Sequence, residues 1–165
     1  MKRIMAIAAV MLLLTVGANA QTAKEIYSKY SDSENVSAVY ISSAMFKLMG
    51  KLPSMSVGDE DVNLSALVKS LQSMYVIDCE DDETIAQMKA DVKSLTQKRK
   101  LELLMEAKDE GETVRIFTQG DEDTVESFIM TADDGEDGYT FISLEGTMNR
   151  ADLEKVIAKA AKTIQ

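Results

Sequence analysis

The sequence predicts an α+β fold built on a mainly antiparallel sheet. Apolar residues recur with a helical period of 3.6 in several segments before residue 100 and again at the C-terminus. Between residues 100 and 145 they alternate with a period of two, and Gly- and Asp-rich turns separate the alternating runs. The 165 residues, 45% of them hydrophobic, suit a single globular domain. We therefore expect a C-terminal four-strand meander, with helices packed on one face of the sheet and partly on the other.

Residues 1–20 have the layout of a cleaved signal peptide. Two basic residues precede an apolar stretch from Ile4 to Val16, and small residues follow up to Ala20. The stretch is too short for a helix that crosses roughly 30 Å of hydrocarbon. We therefore expect an exported protein, periplasmic or secreted, that is soluble after cleavage. Residues 21–165 should form one α+β domain without a transmembrane segment.

Helices and strands alternate before residue 100. The apolar spacing and the breaks between segments predict, in chain order, a helix over 23–30, a strand over 36–41, a helix over 43–49, a loop over 50–62, a helix capped by Asn63, a strand over 74–79 and a helix with the buried stripe Ile85, Met88, Val92 and Leu95. Acidic residues open this last helix, where they suit the positive end of its dipole.

The period of two predicts four strands after residue 100, followed by a helix that Asn149 caps and that carries Leu153 in its apolar stripe. One sheet face should carry Leu103, Ile116, Phe128 and Ile142, and we expect a helical layer to cover it. The opposite face is less polar than a solvated face should be, since it carries Leu104, Phe117, Ile129 and Phe141. These four residues are our candidate interaction surface. The alternative is a second covering layer from the N-terminal segments.

Composition argues against several classes of function. A formal charge of −10 argues against nucleic-acid binding, which needs a basic face. The chain has no histidine, the commonest general base and zinc ligand, and it has no phosphate-binding loop or nucleophile motif. We expect no cofactor, no metal and no catalysis. Paired carboxylates need no local motif, however, so a carboxylate-based hydrolase stays an alternative.

Two further features admit more than one interpretation. The acidic run 133–138 does not follow EF-hand spacing, because Leu144 stands at the twelfth position, where a glutamate is required. A hairpin turn explains the run, and a calcium-binding module is the alternative. The single cysteine, Cys79, lies in a predicted strand and should be a buried, inert thiol, with intermolecular pairing as the alternative.

The segments 26–30, 36–42 and 141–146 resemble domain-of-unknown-function family 4252. Members of this family are exported, often lipid-anchored and found chiefly in Bacteroidetes. The resemblance covers nearly all of residues 22–163, although this chain lacks the lipid-anchor cysteine. It implies a Gram-negative envelope setting and, because members lie near extracytoplasmic sigma-factor regulators, a role in envelope sensing. It transfers no active site. We therefore expect a non-catalytic protein-interaction or binding module whose partner is an envelope protein. The oligomeric state stays open.

Overall fold

The computed structural model describes residues 22–49 and 64–163. Along these residues the elements are α1 (Ala23–Tyr30), β1 (Val36–Ser42), α2 (Ser43–Met49), α3 (Leu64–Ser70), β2 (Leu71–Cys79), α4 (Asp82–Lys98), β3 (Glu102–Asp109), β4 (Glu112–Gly120), β5 (Thr124–Asp133), β6 (Tyr139–Asn149) and α5 (Arg150–Thr163). Each predicted helix and strand has its counterpart here, and β2 begins at residue 71 rather than 74. The predicted signal peptide, the loop over 50–62 and the Asn63 cap lie outside the described residues.

All six strands pair antiparallel in one sheet, in the order β1-β2-β6-β5-β4-β3. The last four strands of the chain form the predicted meander. Strand β6 also pairs with β2, which joins the meander to the β1–β2 pair. The predicted α+β class is therefore confirmed, and β1 and β3 are the two edges of this sheet.

Side chains cap the two helices that pack on the first face. The Thr22 hydroxyl accepts a hydrogen bond from the Glu25 amide at 3.2 Å, and the Glu25 carboxylate accepts one from the Thr22 amide at 2.7 Å. The Asp81 carboxylate accepts a hydrogen bond from the Thr84 amide at 2.9 Å. These bonds satisfy amides that have no partner within their helix. They fix where α1 and α4 begin, and so which side chains face the sheet.

The first face of the sheet is covered by α1 and α4. The predicted stripe of α4 is buried there, together with Ile26 and Tyr30 of α1. From the sheet, the same core cluster contains Tyr75, Ile77, Cys79, Ile129, Tyr139 and Phe141. Each large apolar side chain buried in this way stabilises the fold by about 1.5–3 kcal/mol. This cluster is the larger of the two cores.

The second face is covered by α2, α3 and α5. They contribute Phe46, the half-buried Leu67 and Leu153 to a cluster that also contains Leu71, Ile116, Val125, Phe128 and Met148. Asn149 caps α5 as predicted, because its side-chain oxygen accepts a hydrogen bond from the Asp152 amide at 3.2 Å. Helices therefore pack on both faces of the sheet. No helix in the described parts of the chain combines the length and apolar character needed to cross a membrane.

The register between β3 and β4 corrects one prediction. Leu103 pairs with Phe117 and Met105 pairs with Ile116, with a register shift between them. Leu104 is thus the extra residue of a β-bulge. We had predicted Leu103 on the Ile116 face and Leu104 on the Phe117 face. The assignment of Leu103 is wrong because a single inserted residue exchanges the faces of a strand.

Candidate interaction surface

The structure separates the four residues of the predicted surface. Ile129 and Phe141 are each 0% exposed, and Phe117 is partly buried against the same core. They cannot form a docking surface, because α1 and α4 cover them. For these three residues the alternative prediction, a second covering layer, is correct. That layer consists of the N-terminal helix α1 together with α4. Leu104 alone is well exposed, at 43%.

Strand β3, which contains Leu104, forms an open edge of the sheet. All eight of its residues are exposed, and β4 is its one neighbour among the described strands. Three consecutive apolar side chains lie near its start, with exposed fractions of 49% for Leu103, 43% for Leu104 and 40% for Met105. An edge strand leaves a row of backbone N–H and C=O groups free to pair. We call Leu103, Leu104 and Met105 the edge patch.

The bulge at Leu104 places apolar side chains on both faces of this edge. Leu103 pairs with Phe117 on the α4 side of the sheet, whereas Met105 pairs with Ile116 on the opposite side. A regular strand alternates its faces, so the bulge supplies an additional apolar residue between them. A segment paired with this part of β3 could therefore contact apolar side chains on either face.

The far half of β3 is charged and internally paired. The Glu106 carboxylate accepts from the Arg115 guanidinium at 2.7 Å and from the Lys108 ammonium at 3.0 Å. Hydrogen bonds from Lys108, and next from Arg115, hold the pKa of Glu106 below its usual value. Charged side chains protect natural edge strands from indiscriminate pairing. Pairing is therefore favoured at the edge patch and disfavoured beyond it.

A groove lies one strand away from the edge patch, between α4 and strands β4, β5 and β6. It has a volume of about 430 Å³, and it is lined by Lys89, Val92, Lys93, Thr96, Gln97, Arg115, Phe117, Thr131, Asp133 and Tyr139. Its floor includes Phe117, the cross-strand partner of Leu103. The three residues of the edge patch do not line this groove.

The chain matches a domain of unknown function, DUF4252, over residues 30–156. That range is well over half of the chain and contains all six strands. The chain belongs to the DUF4252 family. No curated protein and no solved structure matches it. The family match confirms the resemblance seen in the sequence and brings no activity with it.

In this DUF4252 chain the acidic run begins at Asp133, the last residue of β5, and residues 134–138 form the hairpin loop to β6. Asp134 Oδ1 accepts hydrogen bonds from the amides of Glu136 at 3.0 Å and Gly138 at 2.8 Å. The Gly138 amide, and next the Glu136 amide, lower the pKa of Asp134. Asp133 is also engaged, with the Gly135 amide at 3.2 Å and the Lys89 ammonium at 2.6 Å. The loop thus uses these carboxylates to hold its own turn.

Six carboxylates line a cleft of about 260 Å³ beside this loop: Asp78, Glu80, Glu112, Asp133, Asp134 and Asp137. Most of them are exposed to solvent. A general acid for glycoside hydrolysis needs a raised pKa, and the pKa of Asp134 is shifted in the opposite direction. Among the described residues no three His, Cys, Asp or Glu side chains are placed to hold a metal ion.

Sequence reasoning missed two parts of the candidate surface, Leu103 and Met105. The signal was present, because three apolar residues in succession interrupt the alternation expected of a strand with one solvated face. Such a run in a period-two segment indicates either a bulge or a strand apolar on both sides. Here it marks a bulge on an open edge.

Proposed function

We propose that this DUF4252 protein is an exported, non-catalytic interaction module of the cell envelope, and that it binds an extended segment of a partner protein along β3. The observation that carries the proposal is the edge patch: three consecutive apolar side chains, 40–49% exposed, on an open edge of the sheet. In this binding mode the partner adds a strand to the sheet. Backbone hydrogen bonds supply affinity, and alternate side chains supply specificity.

The charges around the edge patch favour a partner segment with basic residues. Glu102 lies before the patch, and Asp109, Glu110 and Glu112 lie around the turn at the far end of β3, all of them exposed. The whole chain has a net charge of −10. An apolar segment with flanking Lys or Arg residues would therefore be attracted to β3 and held in register by these acids.

A different protein suits this edge better than a second copy of the chain does. Two copies would bring the same acidic residues together, and like charges across an interface are unfavourable. This repulsion opposes self-association and leaves pairing with a segment of complementary charge.

The cellular setting of the proposal comes from the sequence. The signal-like residues 1–20 support export, and the absence of histidine supports a role without catalysis. The resemblance to exported proteins near sigma-factor regulators supports envelope sensing. A module that binds an extended segment only when that segment is accessible would sense the state of its partner. This kind of sensing needs no catalysis.

Site-specific crosslinking in intact cells tests the proposal. A photoreactive amino acid at position 104 should form an adduct with one partner protein, whereas the same group at position 48, which is 62% exposed in α2, should not. The identified partner is then purified and titrated. We expect the double variant Leu103→Lys/Met105→Lys to weaken its binding by about tenfold or more, because anchoring apolar contacts dominate interface energies.

The matched control is Met45→Lys/Leu48→Lys, which changes two exposed apolar residues, at 48% and 62%, that lie away from β3. It should leave the affinity unchanged. Adducts at position 104 with only a second copy of the chain would contradict the proposal. Wild-type affinity of the Leu103→Lys/Met105→Lys variant would also contradict it.

A further inference from the structure

Three of the five tyrosines form one cluster at the opposite edge of the sheet. Tyr40 of β1 stacks on Tyr75 of β2, with ring centroids 5.1 Å apart and an angle of 18° between the rings. Tyr27 of α1 contacts both, at 6.1 Å from Tyr40 and 5.3 Å from Tyr75. Tyr75 is 7% exposed, whereas Tyr40 is 50% exposed. Two inner rings thus hold one outer ring in place with much of its surface in solvent.

A wide, open cavity of about 660 Å³ lies beside this outer ring. Its walls come from β1, α2, α3 and β2, and it is lined by Tyr40, Ser43, Lys47, Lys69, Ser70, Leu71, Gln72, Ser73 and Tyr75. The volume falls within the range of about 300–1,000 Å³ that is typical of small-molecule sites. The lining combines aromatic rings with hydroxyl and amide groups that can donate hydrogen bonds.

The lining of this cavity is basic, although the chain as a whole is acidic. Lys47 and Lys69 line it, and among the lining residues that the structure describes none is acidic. The whole sequence has 28 acidic against 18 basic side chains. Neither lysine makes an ion pair within the described residues. Two lysines of this kind favour a ligand that brings its own negative charge.

We propose that this cavity binds an anionic saccharide. A sugar ring has an apolar C–H face that can lie against Tyr40, which the cluster holds ready for contact. Ser43, Ser73 and Gln72 can hydrogen-bond to sugar hydroxyls, whereas the Ser70 hydroxyl already donates to the Leu67 carbonyl at 2.7 Å. The two lysines can pair with a carboxylate, sulfate or phosphate on the ring. This site lies at the β1 edge and is independent of the edge patch on β3.

Calorimetric titration of the full-length protein with trigalacturonate and with a sulfated chondroitin disaccharide tests the proposal. At least one of these probes should bind at about 1 mM or below, and neutral maltotriose should bind at least about tenfold more weakly. Tyr40→Ala should weaken binding about tenfold, whereas Tyr40→Phe should keep the ring and the affinity. Lys47→Ala/Lys69→Ala, which changes two exposed side chains and no core residue, should remove the preference for the anionic sugar.

The matched control Lys24→Ala/Lys98→Ala removes two exposed lysines that lie outside the cavity, and it should leave binding unchanged. The proposal would be overturned if Lys47→Ala/Lys69→Ala and Tyr40→Ala both bound the anionic sugars as tightly as the wild-type protein does. The absence of binding by both anionic sugars would also overturn it. Inorganic sulfate or a tri-glutamate peptide that binds as tightly as these sugars would show a simple ion site or a peptide site instead.

Discussion

Leu103 lies directly opposite Phe117 in the register of β3 and β4, yet Leu103 is 49% exposed while Phe117 is partly buried against the larger core. The boundary of the helical layer therefore runs between these two residues. Helix α4 covers the sheet as far as β4 and leaves β3 open. A surface predicted as one continuous apolar face is thus divided into a covered part and an exposed edge.

This division predicts very different costs for two substitutions within the predicted surface. Phe141→Ala should lower the free energy of unfolding by about 3–5 kcal/mol, because it leaves a cavity in a packed core. Leu104→Ala should change it by less than about 0.5 kcal/mol, since the side chain is already half in solvent. Urea unfolding of both variants measures the difference. Equal costs would mean that the two side chains share one environment.

The hairpin loop after β5 should not depend on calcium. The Asp134 carboxylate already accepts two backbone amides, and Asp133 is paired with Lys89. We therefore expect the melting temperature to be the same in excess EDTA and in millimolar calcium. An ion that binds only the folded state would raise the free energy of unfolding by RT ln(1 + [Ca²⁺]/Kd), and the melting temperature would rise with it. A clear rise with calcium, absent in Asp134→Ala, would favour the calcium-binding alternative.

Local patterns predict the elements of this fold better than its contacts. The stripe of α4 and the cap at Asn149 follow from residues close in sequence, and the structure has them as predicted. The face on which Leu103 lies depends on a one-residue bulge; the apolar run indicates an irregularity, but it does not identify which residue is the extra one. The tyrosine cluster joins residues from three separate elements, so only the tertiary fold brings its rings together.

The hydroxyl of Tyr139 should make the protein sensitive to alkaline pH. Burial in the core raises the pKa of Tyr139 to about 12. An unfolded tyrosine ionises near pH 10, so between about pH 10 and 12 the unfolded chain loses a proton that the folded chain keeps. Stability is complete below this window and falls as the pH rises through it, by an amount on the order of 2–3 kcal/mol.

Comparison with Tyr139→Phe isolates this contribution, because phenylalanine keeps the ring and cannot ionise. Urea unfolding at a series of pH values should show a steeper alkaline loss for the wild-type protein than for the variant. Absorbance at 295 nm should also show one fewer late-ionising tyrosine in the variant. Parallel stability curves for the two proteins would contradict a buried hydroxyl at this position.

The thiol of Cys79 should be inert while the protein is folded. Cys79 is 0% exposed in the core under α1 and α4, and its Sγ lies 3.8 Å from the carbonyl oxygen of Asp81. A reagent such as iodoacetamide can reach it only through opening of the fold, so alkylation should be slowed by at least about a thousandfold relative to the protein in urea.

Ser37→Cys in a Cys79→Ala background places a thiol at an exposed position of β1 and should react rapidly. Rapid labelling of Cys79 in the native protein, or a disulfide-linked dimer under non-reducing conditions, would mean that this part of β2 opens readily. Such a result would favour the alternative that Cys79 forms an intermolecular disulfide, because a thiol must reach the surface before it can join two chains.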